Sequence, residues 1–325
     1  MLFVVGDSGK NIKDNTAYGK DNGNDSAIQI SEAIFGTGRK ENIKWKPVIE
    51  QFSVAKEGFN VSSIQFAIHY FFKDFNSVHQ FVRNVSECTR LNGYFIGTCY
   101  DGKTVFDILS KQNSKILIRT KVNQKKMLEI TQKYSQTGFN ETEPCLGYEI
   151  DVWQESINQT FSEYLVNFEY LKRIMMNYGF DLVTLDVAQQ MGLSKATGLF
   201  KDLFDSMCKS NKKKINNKEY GSAANMTEEE KKISFMNRFF VFQKKRVVAT
   251  KEIQTNMKEK YDDAVVDTND IPMTRLGETV VINSTVVNPV VDTVNPIVNG
   301  KIVLNPAVRR VVKKHKTLKN PKPNT

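Results

Sequence analysis

The apolar positions fall first into short alternations and runs. Residues 2–7, Leu2 to Asp7, carry four consecutive apolar residues before a Gly-Asp pair and predict a short buried strand ending in a turn. A polar, Gly/Asn-rich stretch reaches about Asp25, and helical spacing predicts a helix near Ser26–Phe35. A second strand is predicted at Phe59–Gln65, followed by the aromatic run Ala67–Phe72, a helix at Ser77–Thr89 and a third strand at Gly93–Cys99. The turn residues Tyr100-Asp101-Gly102 lead into a helix at Val105–Ser110. Strand, helix, strand, helix, strand in this order predicts parallel α/β units.

The pattern then changes. Two β-like pieces, Lys115–Arg119 and Gly147–Trp153, have no clear crossover helix between them, which predicts an antiparallel insertion. Leu165, Phe168, Leu171, Ile174 and Met175 lie three and four apart and predict a helix at Ser162–Tyr178, with Ser162 as N-cap. A strand at Phe180–Asp186, a Lys/Asn-rich loop at Lys209–Lys218, a capped helix at Thr227–Lys232 and a last strand at Phe239–Phe242 complete this part. From about residue 250 the composition shifts: six of the eight prolines lie between Pro272 and Pro323, among irregular Val-Asn-Pro fragments. Proline disfavours helix and interior strand alike. The division expected is therefore a folded part over 1–248 and a Val/Pro-rich, basic, disordered tail over 249–325.

Charge follows the same division. The net charge is +10, and residues 301–325 carry eight Lys/Arg and no Asp or Glu, which leaves about +2 for everything before them. Such a tail can collect phosphates from nucleic acid without reading sequence, or simply keep the chain soluble.

Several classes of function are excluded. There is no run of eighteen apolar residues to span a membrane, and the opening residues do not make a signal peptide. Cys88, Cys99, Cys145 and Cys208 have no C-x-x-C spacing and only three His exist, so neither a metal site nor a disulfide scaffold is expected. Reduced thiols and a cytoplasmic setting are the expectation. No G-x-S-x-G, H-E-x-x-H or G-x-x-x-x-G-K-[ST] occurs.

What remains is the block Phe59–Phe72, where Gln65, His69 and Tyr70 follow the carboxyl end of a strand. Open parallel sheets bind ligands in the crevice beyond those ends. Asp7 stands at the matching end of the first strand. Taken singly, each has an ordinary structural reading: a His in an aromatic run is a core residue, and Asp7 is a turn former. Together they point to a small-ligand site.

Gln65–Phe72 (QFAIHYFF), followed by FVRNVSEC at 81–88 and GYFIGTC at 93–99, resembles the messenger RNA cap guanine-N7 methyltransferases. The likeness is closest to the carboxyl-terminal methyltransferase part of large-DNA-virus capping enzymes. Residues 4–12, 161–168, 178–183 and 237–244 resemble further family segments in the same order. The resemblance implies an α/β, class I S-adenosylmethionine-dependent methyltransferase fold with Rossmann-like sheet and an antiparallel cap-binding insertion. It implies methyl transfer from S-adenosylmethionine to N7 of the cap guanine, with capped RNA as partner. Carried over, Asp7 would contact the donor's adenine, Gln65, Phe66 and Tyr70 would line the donor pocket, and His69 and Glu163 would hold the guanine. Glu163 also has a plainer reading, as a helix-dipole partner in a first turn. The implied transfer is direct, without a catalytic base or metal. A viral setting implies host cytoplasm or virion.

The family's Asp-x-x-x-Gly-x-Gly-Gly donor loop and the acidic residue that grips the ribose are not found in this chain. In the family's sheet order, 3-2-1-4-5-7-6, the chain would begin near strand three. It therefore reads as the carboxyl-terminal portion of the domain, with an incomplete sheet and an amino-terminal complementing segment as an expected partner. The alternative is a non-catalytic RNA- or cap-binding remnant or scaffold.

Overall fold

The computed structural model describes residues 2–19, 25–139, 145–210 and 221–269, together with two short strands further on. In chain order it begins with α1 (Asp25–Phe35), α2 (Lys46–Ile49), β1 (Phe59–Gln65), α3 (Phe75–Cys88), β2 (Thr89–Tyr100) and α4 (Gly102–Lys111). Four strands follow, β3 (Lys115–Arg119), β4 (Lys126–Gln132), β5 (Glu149–Gln154) and β6 (Gln159–Tyr164). Next come α5 (Phe168–Asn177), β7 (Phe180–Leu182), α6 (Leu185–Gln190), β8 (Thr197–Leu199) and α7 (Phe200–Ser210). The series closes with α8 (Glu228–Ser234), β9 (Asn237–Lys244) and α9 (Thr250–Asn269).

Two sheets organise these elements. In the first, β2 lies between β1, which is parallel to it, and β9, which is antiparallel. The far edge of β9 pairs antiparallel with β7 near Lys244 and with β8 near Arg238. The order β1-β2-β9-β7, with β9 reversed, matches the 4-5-7-6 portion of the sheet order that the resemblance implies. The second sheet, β3-β4-β5-β6, is the antiparallel insertion, with twice the two strands the sequence predicts. β4 escapes notice because Lys126 and Glu129 interrupt its apolar residues.

Each sheet has its own core. Phe72, Val78, Phe95, Leu171, Ile174 and Phe240 pack between the first sheet, α3 and α5. Val105, Leu109, Leu128, Ile130, Ile150 and Val152 fill the space between the insertion and α4. The junction is local chemistry. Asp101 caps α4 by accepting from the Thr104 amide at 3.1 Å. It also pairs with Arg238 of β9 at 2.6 Å. Arg238 lies 4.6 Å over the Phe168 ring. Gly102 donates its N–H to the Val166 carbonyl at 3.1 Å, and a Cβ at this position would collide with that carbonyl oxygen. Only glycine lets the end of β2 approach the β6–α5 connection so closely.

Besides the strand expected at Phe180–Asp186, which ends at Leu182 with Asp186 already in α6, three sequence expectations change. Residues 2–6 form no strand: Phe3 and Val5 are each more than four-fifths exposed. An apolar run becomes a strand only where a neighbour accepts its backbone, and none of the described strands lies beside it. The expected helix at Ser162–Tyr178 begins instead at Phe168, capped by Asn167, whose side chain accepts from the Tyr170 amide at 3.0 Å. Ser162 and Glu163 belong to β6, so Glu163 is no first-turn dipole partner. Thirdly, the compact unit runs from Met1 to Pro272, past the expected division at 248, because α9 packs Ile253, Met257 and Tyr261 onto the first core. Its apolar stripe is hidden in a lysine-rich composition.

Residues 273–325 form a second unit, in which β10 (Ile297–Val298) and β11 (Lys301–Ile302) pair antiparallel. The rest of the expected tail and most of the loop expected at Lys209–Lys218 lie outside the described residues.

Candidate active site

β1 delivers the chain to the site and then turns sharply. Phe66 has φ 51°, in the left-handed region that a bulky residue seldom adopts, and its amide is tied to the Thr98 carbonyl at 2.9 Å. The turn throws the following residues into a short 3-10 segment, Ile68–Lys73. Ile68 and Phe72 anchor that segment in the core, His69 is buried, and Tyr70 is half exposed. From the other sheet, β6 pairs with β5 so that Glu163 stands opposite Ile150 and Phe161 opposite Val152. Residues paired across a ladder share a face, so the register turns Glu163 towards the insertion's buried side.

His69 and Glu163 thus meet from two separate cores, Nε2 to Oε2 at 3.6 Å. That distance is too long for a hydrogen bond. Both His69 ring nitrogens and Glu163 Oε2 are buried without a partner. They are three of the six such side-chain atoms among the described residues. His79 provides the contrast within the same fold: it is fully buried, but its nitrogens face the hydroxyls of Tyr178 at 3.3 Å and Tyr170 at 3.0 Å. His79 is a satisfied core histidine and His69 is not. Leaving a buried polar atom unmet costs about 1–3 kcal/mol. Both residues that carry these atoms line one cavity.

Burial sets the charge state. It pushes the Glu163 carboxyl up to about 7 and holds His69 down at about 4. Near neutrality the pair is therefore a neutral imidazole beside a carboxyl on the verge of ionising, not an ion pair. Around it lies a cavity of about 460 Å³, with Phe66, Tyr70, Tyr100, Phe161 and Asn237 among its walls. Tyr100 accepts a hydrogen bond on its hydroxyl from Gln154 at 2.8 Å. The set is aromatic surfaces for a flat ring and a carboxylate and an imidazole for its edge.

The comparisons with known proteins bear on this arrangement. The family model for the mRNA (guanine-N(7))-methyltransferase domain matches residues 16–245. The chain belongs to that family. The mRNA cap guanine-N(7) methyltransferase of Candida glabrata is 26% identical over 152 residues, covering 47% of this chain and 36% of the relative. The Saccharomyces cerevisiae enzyme is 26% identical over 137 residues, 42% of this chain and 31% of its own length. The probable mRNA-capping enzyme of Acanthamoeba polyphaga mimivirus is 30% identical over 148 residues, 44% of this chain and 12% of its own. The chain thus spans about a third or less of each of these relatives. Among solved structures, the CcbJ methyltransferase of Streptomyces caelestis aligns with TM-score 0.29 and 10% identity, over 64% of this chain and 62% of that one.

In this methyltransferase domain the structure brings together Phe66, His69, Tyr70 and Glu163, four of the six site residues read from the sequence. Gln65 stands just outside the cavity, exposed, with Oε1 accepting from Thr98 Oγ1 at 2.8 Å. Asp7 is not brought to it: its side chain is 59% exposed, accepts from the Gly9 amide at 2.9 Å and lies 3.9 Å from Lys10. Tyr100, Gln154 and Phe161 were not legible: Gln154 and Phe161 are carried here by the pairing of the insertion, and Tyr100 by the end of β2, where it pairs with Asn237 of β9. The Tyr100-Asp101-Gly102 turn signal was the one pointer. Among the described residues no group of three or more His, Cys, Asp or Glu could hold a metal, and no helix is long and apolar enough to cross a membrane.

Proposed function

We propose that this methyltransferase domain provides the guanine pocket for methyl transfer to N7 of an mRNA cap guanine, with capped RNA as substrate and S-adenosylmethionine as donor. The observation that carries the reading is the pair of orphaned groups, His69 and Glu163, in an aromatic cavity. Guanine presents an N–H and an exocyclic amine along one edge, and a carboxylate accepts from both. His69, neutral, can donate one N–H to the exocyclic carbonyl O6. Phe66, Tyr70, Tyr100 and Phe161 supply faces for the base.

Glu163 has a second role in this reading. Alkylation of N7 puts a positive charge on the base, and a carboxylate at its edge favours that developing charge more than the neutral ground state. N7 already carries a free lone pair, so no residue has to remove a proton. Orientation in the pocket is what the chain supplies. The half-exposed rings of Phe66 and Tyr70 fit the donor's cationic end, since aromatic faces attract cations. When bound, S-adenosylmethionine supplies the electrophilic methyl group. Gln65, at the end of β1, is the remaining donor-side residue that this region offers.

A complementing partner belongs to the same proposal. β1 pairs with β2 on one side, no described strand pairs with its other side, and Phe59 and Val61 are 40% and 48% exposed. A strand from the amino-terminal part of such a domain would cover that edge.

Calorimetric titration with the dinucleotide GpppG and with S-adenosylhomocysteine tests the reading. Saturable GpppG binding, lost in Glu163→Ala, is expected. Unchanged GpppG affinity in that variant refutes the assignment. GpppG binding without S-adenosylhomocysteine binding makes the chain a cap-binding scaffold that needs its complement for transfer.

A further inference from the structure

The sheet has a second crevice at the opposite end from the guanine pocket. β9 runs from Asn237, in the guanine pocket, to Lys244, and seven residues of strand separate them by about 23 Å. There, at the start of β2, lies a cavity of about 400 Å³ whose walls include Lys13, Lys56, Arg90 and Lys244. No ion pair is found for any of these four cations among the described residues, a situation unlike that of most lysines on the insertion.

The carboxylates nearby do not neutralise them. Glu87 is already taken, accepting from Arg83 Nε at 2.7 Å, Asn11 Nδ2 at 2.8 Å and Thr250 Oγ1 at 2.6 Å. Glu57 stands at the exposed rim. Lys244 is the informative member. It is only 7% exposed, and its ammonium donates to the carbonyls of Ser86 at 2.6 Å and Thr89 at 2.9 Å. An ammonium has three N–H groups, so one donor remains after those two bonds. Burial first, then the neighbouring charge of Lys13, push its pKa down, with Glu87 and Cys88 pulling the other way. Two lysines and an arginine gathered about a carboxylate that three other donors already engage are a costly arrangement, and an anion in the cavity would relieve it. Beside the cations, Leu91 and Val247 expose apolar surface, 45% and 76%.

We infer that this crevice is a phosphate-binding site, built for the phosphates of a nucleotide or of an RNA strand, separate from the guanine pocket. Lys13 and Lys244 line its inner part, Lys56 and Arg90 its mouth, and Leu91 and Val247 offer a shelf for a sugar or base. The cavity has room for more than one phosphate group.

The test uses the full chain and the double variant Lys56→Gln/Arg90→Gln. Both side chains are exposed, so folding is not at stake, and matching thermal melts check it. Tripolyphosphate and an uncapped ten-nucleotide oligouridylate are titrated by calorimetry at 50 mM and 200 mM salt. The expectation is saturable one-site binding of at least one probe to the wild type, weakened at least tenfold in the double variant and falling with salt. Tighter binding of the oligonucleotide identifies an RNA strand as the source of the phosphates; tighter binding of tripolyphosphate identifies a free nucleotide or polyphosphate. Equal affinity in wild type and variant assigns binding to the eight cations of residues 301–325 and overturns the inference. So does tight binding of poly-aspartate with none of either phosphate probe, which would make the crevice a dock for an acidic protein segment.

Discussion

Substituting Glu163 by Gln separates the two consequences of burying this carboxyl. Burial raises it from 4.5 to about 7, and each unit corresponds to about 1.4 kcal/mol. Between those values the folded chain keeps a proton that the unfolded chain has lost. Stability therefore falls as pH rises through that window, and the full cost of ionisation is reached above about pH 7. For a side chain 11% exposed this cost is on the order of 3 kcal/mol. Glutamine has the same shape and no charge, so Glu163→Gln should be more stable than wild type by about 3 kcal/mol at pH 9 and by under about 1 kcal/mol at pH 5. Urea denaturation at the two pH values measures the gap directly. The same variant should bind GpppG about 10- to 100-fold more weakly at pH 8, because a charged acceptor is worth about 1.5–3 kcal/mol. A stability gap that does not change with pH would refute the burial argument.

Three further outcomes follow from the same geometry. His69→Phe fills the space of a ring whose two nitrogens have no partner, so it should leave urea stability at pH 8 unchanged or raised while lowering GpppG affinity at least about tenfold; a clear loss of stability in denaturation, or unchanged affinity in calorimetry, would contradict it. Gly102→Ala forces a Cβ against the Val166 carbonyl and should cost about 1–3 kcal/mol in the same denaturation assay. Outward-facing amides of β1 should exchange hydrogen with solvent far faster than those of β2 and β9, because β1 is paired on one side only; uniform protection across the three strands, read by mass spectrometry, would contradict the free edge.

What was legible in the sequence divides along a physical line. β1 was readable to the residue, and the helix after Thr227 announced itself through a capping box in which Thr227 and Glu230 satisfy one another. These are features that a segment carries within itself. The segment around Glu163 was misread because Leu165 shares helical spacing with Phe168 and Leu171, although it sits on the way out of a strand. Residues 2–6 were misread for the opposite reason, since strand formation depends on a neighbour elsewhere. The proposed guanine pocket was half legible: Phe66, His69 and Tyr70 come from one continuous block, whereas Tyr100, Gln154 and Phe161 meet it only through strand pairing. Nothing in the sequence distinguishes His69 from His79; the hydroxyls of Tyr170 and Tyr178 do that in three dimensions.

The Arg238–Asp101 contact has a bearing on how this molecule would respond to a ligand. One residue of β9 reaches the helix cap at the end of β2, a hydroxyl beside β8 and the face of Phe168. It rivets the two cores together close to the cavity that both of them wall. The proposed guanine recognition would then be a matter of keeping two independently packed bodies in one fixed alignment. A guanine held by His69 from one body and Glu163 from the other would act as a second rivet, and its binding would raise the melting point of both cores as one cooperative transition.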